Sequence, residues 1–443
     1  MNPTIYLSKL FKACLDCRTG ERVFSAAMSV CFFLVISTFW ILKPLKKTAF
    51  IGQFDEAGVN LLSWHLSASE AELVAKILNM VVAFAAVVAF TWLARRFRRQ
   101  QLVHIFSIFF IAGFMAYSLI LGRPSDATVW SFYLFGDLFS TLMVATFFAF
   151  LNDSVSPDQA KRLYGIVGLG GVVGGVAGST FVGVWVDAVT PAGWLWVCVG
   201  VTLGIMSAAE IAGRSAPPAI AVEPVTTTAP EPGGTAFAGA QLVFRSKYLL
   251  SIVAIVGLYE VASTITDFMF TSTVTHHLSG PDIGRQFSRV FALTNWVSML
   301  VQFFLTSLIM TRVGMGAALM VLPAALVTGS AAFLVLPILW TGSLLNTADN
   351  GFSYSINQSA KEALYVPVPR HEKYQAKAFI DIFVQRVAKA LAVVVSLVVS
   401  STLTDFDSVR WLALVNVVIV AAWFGAARYA GRAFQPKCDE AVA

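Results

Sequence analysis

Polar side chains recur at helical spacing inside several long apolar stretches of this sequence. In the stretch 127–151, Tyr133, Asp137 and Thr141 lie four residues apart, which places them on one face of a helix. A charged side chain at the centre of a membrane-spanning helix costs about 3 kcal/mol on insertion scales, so it is expected to pair with another group or to face water. The pattern therefore predicts binding chemistry, in which fixed charges hold a polar solute.

A second stretch, 248–274, repeats this pattern with one carboxylate, Asp267, on a stripe that also includes Tyr259 and Phe270. Glu260 lies off this stripe. The aromatic members of the two stripes could stack on a planar base, since every base offers a π face. For both aspartates, a structural hydrogen bond to a neighbouring helix is the alternative interpretation.

Two further stretches are polar along one side. A lipid-facing helix could not carry the polar side of 341–365, so this side is expected to line a cavity. Its members are Asn346, Asn350, Ser353, Tyr354, Asn357 and Lys361. In the stretch 375–402, Lys377, Asp381 and Lys389 follow helical spacing, although Lys377 and Asp381 could instead form an ion pair within the helix.

Three amines stand at the end of the first apolar stretch, where the sequence ILKPLKKTAFI contains Lys43, Lys46 and Lys47. Pro44 interrupts the hydrogen bonds of a helix, which could turn these amines toward a cavity where they hold phosphate or carboxylate groups. The alternative is that they extend to lipid headgroups. Since the two aspartates should lie at a similar depth, we expect at least one of them to pair with one of these lysines.

The elements that must position these residues are membrane-spanning helices. Of the 443 residues, 57% are hydrophobic and 13% are charged, whereas about a quarter of the residues in soluble domains are charged. A helix needs roughly 20 apolar residues to cross a membrane, and the sequence contains about twelve such stretches. We expect them at about 23–46, 70–94, 101–121, 127–151, 160–186, 190–212, 248–274, 286–311, 314–337, 341–365, 375–402 and 407–430. The predicted fold class is an all-α membrane protein.

The distribution of Lys and Arg predicts the orientation of these helices. The arginine cluster within 95–99 and other basic residues fall on one side, which places both termini in the cytoplasm. Residues 213–236 are rich in Pro, Ala and Thr and predict a flexible linker that divides the helices six and six. This is the layout of the major facilitator architecture. The predicted parts are a cytoplasmic segment 1–22, a six-helix bundle 23–212, a cytoplasmic linker and interfacial segment 213–247, a second six-helix bundle 248–432 and a cytoplasmic tail 433–443.

Other features of the sequence argue against a catalytic or metal-binding role. No nucleophile, base and orienting group occur together as a motif, so we expect no enzyme. The cysteines and the pair His276–His277 lack further ligands at metal-site spacing, so we expect no metal and no cofactor. The glycine-rich segment that contains Gly170, Gly174 and Gly178 lacks the Lys-Ser/Thr pair of a phosphate-binding loop. The four-residue spacing of these glycines predicts close packing between helices.

The motifs resemble a known family, the ATP/ADP translocases, which are the nucleotide transporters of obligate intracellular bacteria and plastids. KEALYVPVPRHEKYQAKAFIDIFVQRVAKA, residues 361–390, is similar to the family's Lys-Glu-Met-Ala-Tyr-Ile-Pro-Leu stretch followed by Lys-Gly-Lys-Ala-Ala-Ile-Asp. FAFLNDSVSPDQAKRLYGIVGLG, residues 148–170, resembles its Asn-containing loop and glycine-rich helix. ILKPLKKTAFI resembles its Leu-Lys-Asp-Thr segment.

The resemblance implies four binding residues, two lysines and two acids, at Lys46, Asp137, Asp267 and Lys377. Both acids are glutamates in the family and aspartates here. From the apolar stretches, we expect an integral protein that passes several times through the bacterial inner (plasma) membrane.

We therefore expect a secondary transporter that moves an organic anion, namely a nucleotide or a related phosphorylated metabolite, by alternating access, including ATP/ADP-type exchange. Its expected partners are this anionic substrate and membrane lipid but no nucleic acid, and a monomer is favoured. The alternatives are a proton-coupled major facilitator carrier of another metabolite or drug, and a non-transporting sensor or lipid-handling protein on a transporter scaffold.

Cysteine-accessibility labelling tests the predicted orientation. Thr227→Cys, placed in a background without native cysteines, should react with a membrane-impermeant maleimide only after the cells are permeabilised, because the linker is expected in the cytoplasm. Labelling of Thr227→Cys in intact cells would reverse the assigned orientation.

Overall fold

The chain is described from a computed structural model. The structure describes residues 19–442 apart from 62–63, 156, 216–233, 370–371, 373–375, 378 and 403–405. Most of the predicted linker 213–236 and residues 1–18 of the predicted N-terminal segment therefore lie outside the described residues.

The described chain is helical almost throughout, after a short 3-10 turn at Thr19–Glu21. The helices are α1 (Arg22–Phe54), α2 (Ala68–Ala94), α3 (Arg99–Ile120), α4 (Asp126–Ser154), α5 (Pro157–Trp185), α6 (Pro191–Arg214), α7 (Gly234–Arg245), α8 (Lys247–His277), α9 (Pro281–Leu300), α10 (Met315–Val335), α11 (Leu339–Phe352), α12 (Gln358–Ala363), α13 (Gln385–Thr402) and α14 (Asp407–Val442). Wider π-helical turns occur at Val301–Thr306, Ile309–Val313, Ser353–Asn357 and Ile380–Val384.

Most of these helices can span a membrane. Among the described residues, 11 helices are long and apolar enough to do so. The remaining predicted stretch, 341–365, forms α11, the π turn Ser353–Asn357 and α12. Its asparagines and serines lower its hydropathy without preventing helix formation. The stretch is therefore helical but too polar to count among the 11 helices. The prediction of an all-α membrane protein is confirmed.

A short hairpin joins α1 to α2, and the sequence pattern did not predict it. β1 (Val59–Leu61) and β2 (Trp64–Leu66) pair antiparallel, with Asn60 opposite His65. Gly58 precedes β1 with a φ of 60°, in a region of backbone conformation that glycine adopts without steric cost. Gly58 therefore lets the chain turn from α1 into the hairpin.

The chain divides into two compact units by its internal contacts. The first unit comprises 1–53, 78–225 and 287–292, and the second comprises 54–77, 226–286 and 293–443. The hairpin and the first turns of α2 thus pack within the second unit. The two six-helix bundles bounded at 212 and 248 stay a prediction.

An aromatic cluster between α3 and α4 fixes the orientation of α4 in the first unit. Phe110, Phe114 and Phe139 are fully buried, and the ring centroids of Phe110 and Phe139 lie 4.9 Å apart. Phe135 joins the same cluster. Because Phe135 and Phe139 flank Asp137 at two-residue spacing, they lie on the opposite face of the helix and turn Asp137 away from α3.

Close backbone approach joins α5 to α1, as the glycine spacing predicted. The hydroxyl of Ser37 on α1 donates to the carbonyl oxygen of Gly174 at 3.0 Å. A Cβ built on Gly178 would lie 2.6 Å from the carbonyl oxygen of Ser37. Small residues permit such contact, and in lipid this packing supplies much of the force that holds helices together.

A buried amide holds three helices together in the second unit. Asn416 of α14 donates through Nδ2 to the hydroxyl oxygens of Thr266 on α8 and Ser330 on α10, both at 3.1 Å. All three side chains are fully buried. Interhelical hydrogen bonds of this kind stabilise packing in an apolar solvent, and this one fixes the rotation of α8, which carries Asp267.

The glycine face of α5 gives a stability test. Gly178→Ala should lower the melting temperature, because the added methyl group meets the α1 backbone and overpacking costs about 1–3 kcal/mol. Gly168→Ala on the same helix is the matched control, since no atom lies within 4 Å of a Cβ there. A thermal unfolding curve in detergent that shows equal melting temperatures for the two variants would contradict this packing role.

Candidate functional site

Lys46 and Asp137 form an ion pair between α1 and α4. Their side chains are only 8% and 22% exposed. The Lys46 amine also lies 4.4 Å from the ring centroid of Tyr133, one turn before Asp137. A Cβ built on Gly136 would lie 2.8 Å from Cδ of Lys46, so the absence of a side chain at Gly136 leaves room for the lysine to cross α4. The expected pairing of an aspartate with one of the three lysines is present.

The two neighbouring amines lie against aromatic rings of the first unit. Lys43 Nζ is 4.5 Å from the Trp40 ring centroid and 4.7 Å from that of Phe291. Lys47 Nζ is 5.1 Å from the Phe287 ring centroid. Rings attract cations through their negative faces, by about 0.5–2 kcal/mol. Because Lys46 and Lys47 are buried, they do not extend to lipid headgroups as the alternative interpretation required.

In the second unit, Lys76 of α2 forms an ion pair with Oδ2 of Asp267 on α8. Asn346 of α11 donates to Oδ1 of the same carboxylate at 3.4 Å. Sequence reasoning placed Asp267 on a polar stripe but missed Lys76. The signal that could have found it is its position as an ionisable residue within the predicted span 70–94.

Two glutamates hold the first turns of α2 in the second unit. Glu72 is buried and accepts a hydrogen bond from the Thr271 hydroxyl at 3.2 Å. Glu70 accepts one from the Ser400 hydroxyl at 2.6 Å. These bonds to α8 and α13 fix the helix end that carries Lys76.

The remaining polar stripe of α8 is hydrogen-bonded to the π turn and α11. Tyr259 and Ser353 share a hydrogen bond of 2.5 Å between their hydroxyl oxygens. Ser263 donates to Oδ2 of Asp349 at 2.6 Å, and Asp349 is fully buried. Sequence reasoning also missed Asp349, which lies in the predicted span 341–365 but off its polar side. Phe270 is fully buried.

The other predicted site residues lie elsewhere in the second unit. Lys377 pairs with Glu362 at 2.6 Å. The side chain of Asp381 is not among those that the structure describes. Asn350 donates through Nδ2 to Oδ1 of Asn346 at 3.4 Å. Asn357 is buried within the π turn, and Lys361 follows it on α12. The structure thus brings Asn346 to Asp267, bonds Asn350 to Asn346, and pairs Lys377 with a different carboxylate. The substrate-binding roles of all these residues stay predictions.

A cavity of about 910 Å³ lies beside the hairpin in the second unit. Its lining includes Asp55, His65, His276 and Phe406. His276 stacks on Phe406, with ring centroids 3.9 Å apart. Burial, and secondly the nearby charge of Glu56, raise the pKa of Asp55. Within the described residues, no three His, Cys, Asp or Glu side chains are grouped so that they could hold a metal ion.

Comparisons with known proteins give two family matches. The model of the Major Facilitator Superfamily matches residues 26–366, and the model of the TLC ATP/ADP transporter matches residues 334–434. The second match includes residues 361–390, where the motif resemblance is most specific.

Three similar proteins carry names that describe them as carriers of ATP and ADP. A plastidic ATP/ADP-transporter of Solanum tuberosum is 23% identical over 412 residues, which cover 79% of this chain and 65% of the relative. The chloroplastic ADP,ATP carrier protein 1 of Arabidopsis thaliana is 23% identical, with coverage of 70% and 55%. ADP,ATP carrier protein 2 of Chlamydia pneumoniae is 24% identical, with coverage of 45% and 42%. The matches thus span less than two thirds of the length of these relatives.

Solved structures of transporters share the fold. The nucleoside transporter NupG superposes with a TM-score of 0.64 at 12% identity, covering 91% of this chain and 98% of NupG. A bacterial homolog of the human lysosomal transporter Spinster gives a TM-score of 0.60 at 14% identity, with coverage of 95% and 98%. At such identities the likeness concerns the fold alone.

The Lys46–Asp137 pair gives a stability test. Asp137→Leu should destabilise the protein by about 3 kcal/mol, because it leaves a buried amine without its carboxylate. Lys46→Met/Asp137→Leu should recover most of this loss, since an apolar pair of similar volume replaces the ions. Thermal unfolding of both variants in detergent checks this, and a double variant as unstable as the single one would contradict it.

Proposed function

The chain belongs to the Major Facilitator Superfamily, and on this premise we propose that it is a secondary transporter of a nucleotide or a related phosphorylated anion. The observation that carries the proposal is the Lys46–Asp137 ion pair, buried between two membrane-spanning helices of the first unit. Such a pair holds a positive charge ready inside the protein, because the carboxylate compensates the amine until an anion replaces it.

The surroundings of Lys46 suit a phosphate group. Lys43 and Lys47 lie within one turn of it on α1 and are held by aromatic rings. A lysine binds phosphate as a point charge without demanding a fixed direction, so three such amines can follow a charged chain of phosphates. Tyr133 is buried, with its ring 4.4 Å from the Lys46 amine, so it holds the amine in place and does not offer a stacking surface for a base as the sequence suggested.

The names of the relatives support an adenine nucleotide as the cargo. The proteins from potato, Arabidopsis and Chlamydia are ATP/ADP transporters or ADP,ATP carriers by name. The family model that matches residues 334–434 is also that of an ATP/ADP transporter. Transport then follows from alternating access: the anion binds one conformation better than the other and shifts the population between them. Exchange of one nucleotide for another is the simplest cycle of this kind.

The proposal includes the predicted organisation of the chain. Two six-helix bundles, 23–212 and 248–432, cross a bacterial inner membrane several times as a monomer, with both termini in the cytoplasm. The supporting observation is the concentration of basic residues on one predicted side, as the positive-inside rule requires.

A proton-coupled carrier is the second candidate, and Asp349 favours it. This carboxylate is fully buried and accepts a hydrogen bond from Ser263. A carboxylate buried inside a membrane protein is able to bind and release a proton during a transport cycle. A dependence of uptake on a proton gradient would distinguish this candidate from nucleotide exchange.

Counterflow in proteoliposomes tests the proposed exchange. Vesicles loaded with ATP should take up labelled ADP without a proton gradient, and Lys46→Gln should reduce the uptake about tenfold, the size of one lost charge-assisted contact. Lys437→Gln is the matched control, since Lys437 pairs with Glu440 outside the proposed site.

The outcomes separate the candidates. Uptake that requires an inward proton gradient would favour the proton-coupled carrier. Purified protein at an ATP concentration of 100 times the dissociation constant should gain about 2.7 kcal/mol of stability. If no nucleotide gives either counterflow or thermal stabilisation, nucleotide transport is rejected.

A further inference from the structure

Lys76 occupies in the second unit the kind of position that Lys46 occupies in the first. Each is a lysine of an apolar helix that pairs with an aspartate of another apolar helix. We propose that Lys76 is a further substrate-binding amine, which an anionic phosphate group takes from Asp267. The inference rests on the proposed function and names a residue that neither the residue pattern nor the family resemblance indicated.

The Lys76–Asp267 pair is less buried than the Lys46–Asp137 pair. Its side chains are 23% and 26% exposed, against 8% and 22% for Lys46 and Asp137. A partly exposed ion pair exchanges its anion more readily than a sealed one, since an incoming phosphate can approach the amine without displacing the packed side chains around it. Because phosphate carries more negative charge than one carboxylate at neutral pH, it competes well for the amine.

Asp267 has a second donor that remains when the lysine leaves. Asn346 donates to its Oδ1 while Lys76 contacts its Oδ2. Asn350 donates to the side-chain oxygen of Asn346, which fixes the amide so that its nitrogen faces Asp267. Asp267 therefore keeps a hydrogen bond after Lys76 turns to the substrate, and this lowers the penalty for breaking the ion pair.

The backbone that carries Lys76 is fixed independently of the ion pair. Glu72, one turn earlier on α2, is bonded to Thr271, one turn after Asp267. Glu70 is bonded to Ser400 of α13. The lysine can therefore move its amine between Asp267 and an anion without displacing the helix, which is the arrangement that preorganised binding requires.

Lys377, the second lysine implied by the family resemblance, has a different environment. It pairs with Glu362, and the two side chains are 34% and 43% exposed. Exposed ion pairs contribute about 0–1 kcal/mol because water screens them. Lys76 is less exposed to screening by water than Lys377, and it is Lys76 that lies beside Asp267.

The test measures ATP binding to purified full-length protein by isothermal titration calorimetry. Lys76→Gln should weaken binding about tenfold, the effect of one lost charge-assisted hydrogen bond. Asp267→Asn should tighten binding, because it leaves the amine to the substrate. Lys76→Arg should retain most of the affinity, and Lys437→Gln, at an exposed position near the end of α14, should match the wild type.

The double variant Lys76→Gln/Asp267→Asn decides between binding and structural neutralisation. If Lys76 binds the phosphate, the double variant should still bind more weakly than the wild type. Recovery of wild-type affinity would overturn the inference, because Lys76 would then serve only to neutralise Asp267. Unfolding curves without ligand establish that each variant is folded, and the double variant, which removes both charges together, carries the test if Lys76→Gln alone does not fold.

The two proposals fail in different ways. ATP binding that is lost in Lys46→Gln but unchanged in Lys76→Gln would overturn the role of Lys76 and leave the proposed function standing. If the wild type binds neither ATP nor any other nucleotide or phosphorylated anion, both proposals are overturned.

Discussion

The structure depends on one constraint, which is that a charge inside an apolar helix needs an opposite charge within reach. Lys46 and Asp137 satisfy each other across α1 and α4, and the packing around them serves this contact. Gly136 leaves space for the lysine to cross α4. The glycines of α5 let its backbone lie against α1, which sets the position from which Lys46 extends. The ion pair therefore depends on these glycines as well as on the two charged side chains.

This constraint also bears on the proposed transport of an anion. A lone buried amine would be costly, and a permanently sealed pair would bind nothing. A pair whose carboxylate can be replaced by a phosphate keeps the charge compensated at both stages. Binding energy then arises from the difference between two compensated states, which is small enough to allow release. A substrate shifts the conformational equilibrium only by such a difference in affinity.

Sequence reasoning identified the spans and both aspartates, because apolar length and helical spacing are local properties. The partners of the aspartates are not local, and this is why Lys76 was missed. It lies near the start of α2, where Glu70, Glu72 and Lys76 resemble the ordinary charged beginning of a helix. The family resemblance offered Lys377 as the second lysine, whereas the contact made by the folded chain joins Asp267 to a residue 191 positions earlier.

The π turn at Ser353–Asn357 shows a further limit of spacing arguments. A π turn places one extra residue in the helix, so residues after it are rotated relative to a regular α-helix. Within this turn, Tyr354 is the member of the predicted polar side that does not face inward. Ser353 and Asn357 are buried, while Tyr354 is exposed.

The motif resemblance implies glutamates at the positions of the two aspartates, and the geometry gives a physical reason why the shorter acid is sufficient. A glutamate would extend its carboxylate by one methylene, about 1.5 Å farther from its helix. Here the reach comes from the lysines, whose long side chains cross to Asp137 and Asp267. On α4 this crossing depends on Gly136, because a side chain there would meet the Lys46 stem. What must be maintained is the sum of the two side-chain lengths across the gap between helices, and a long amine opposite a short acid satisfies it.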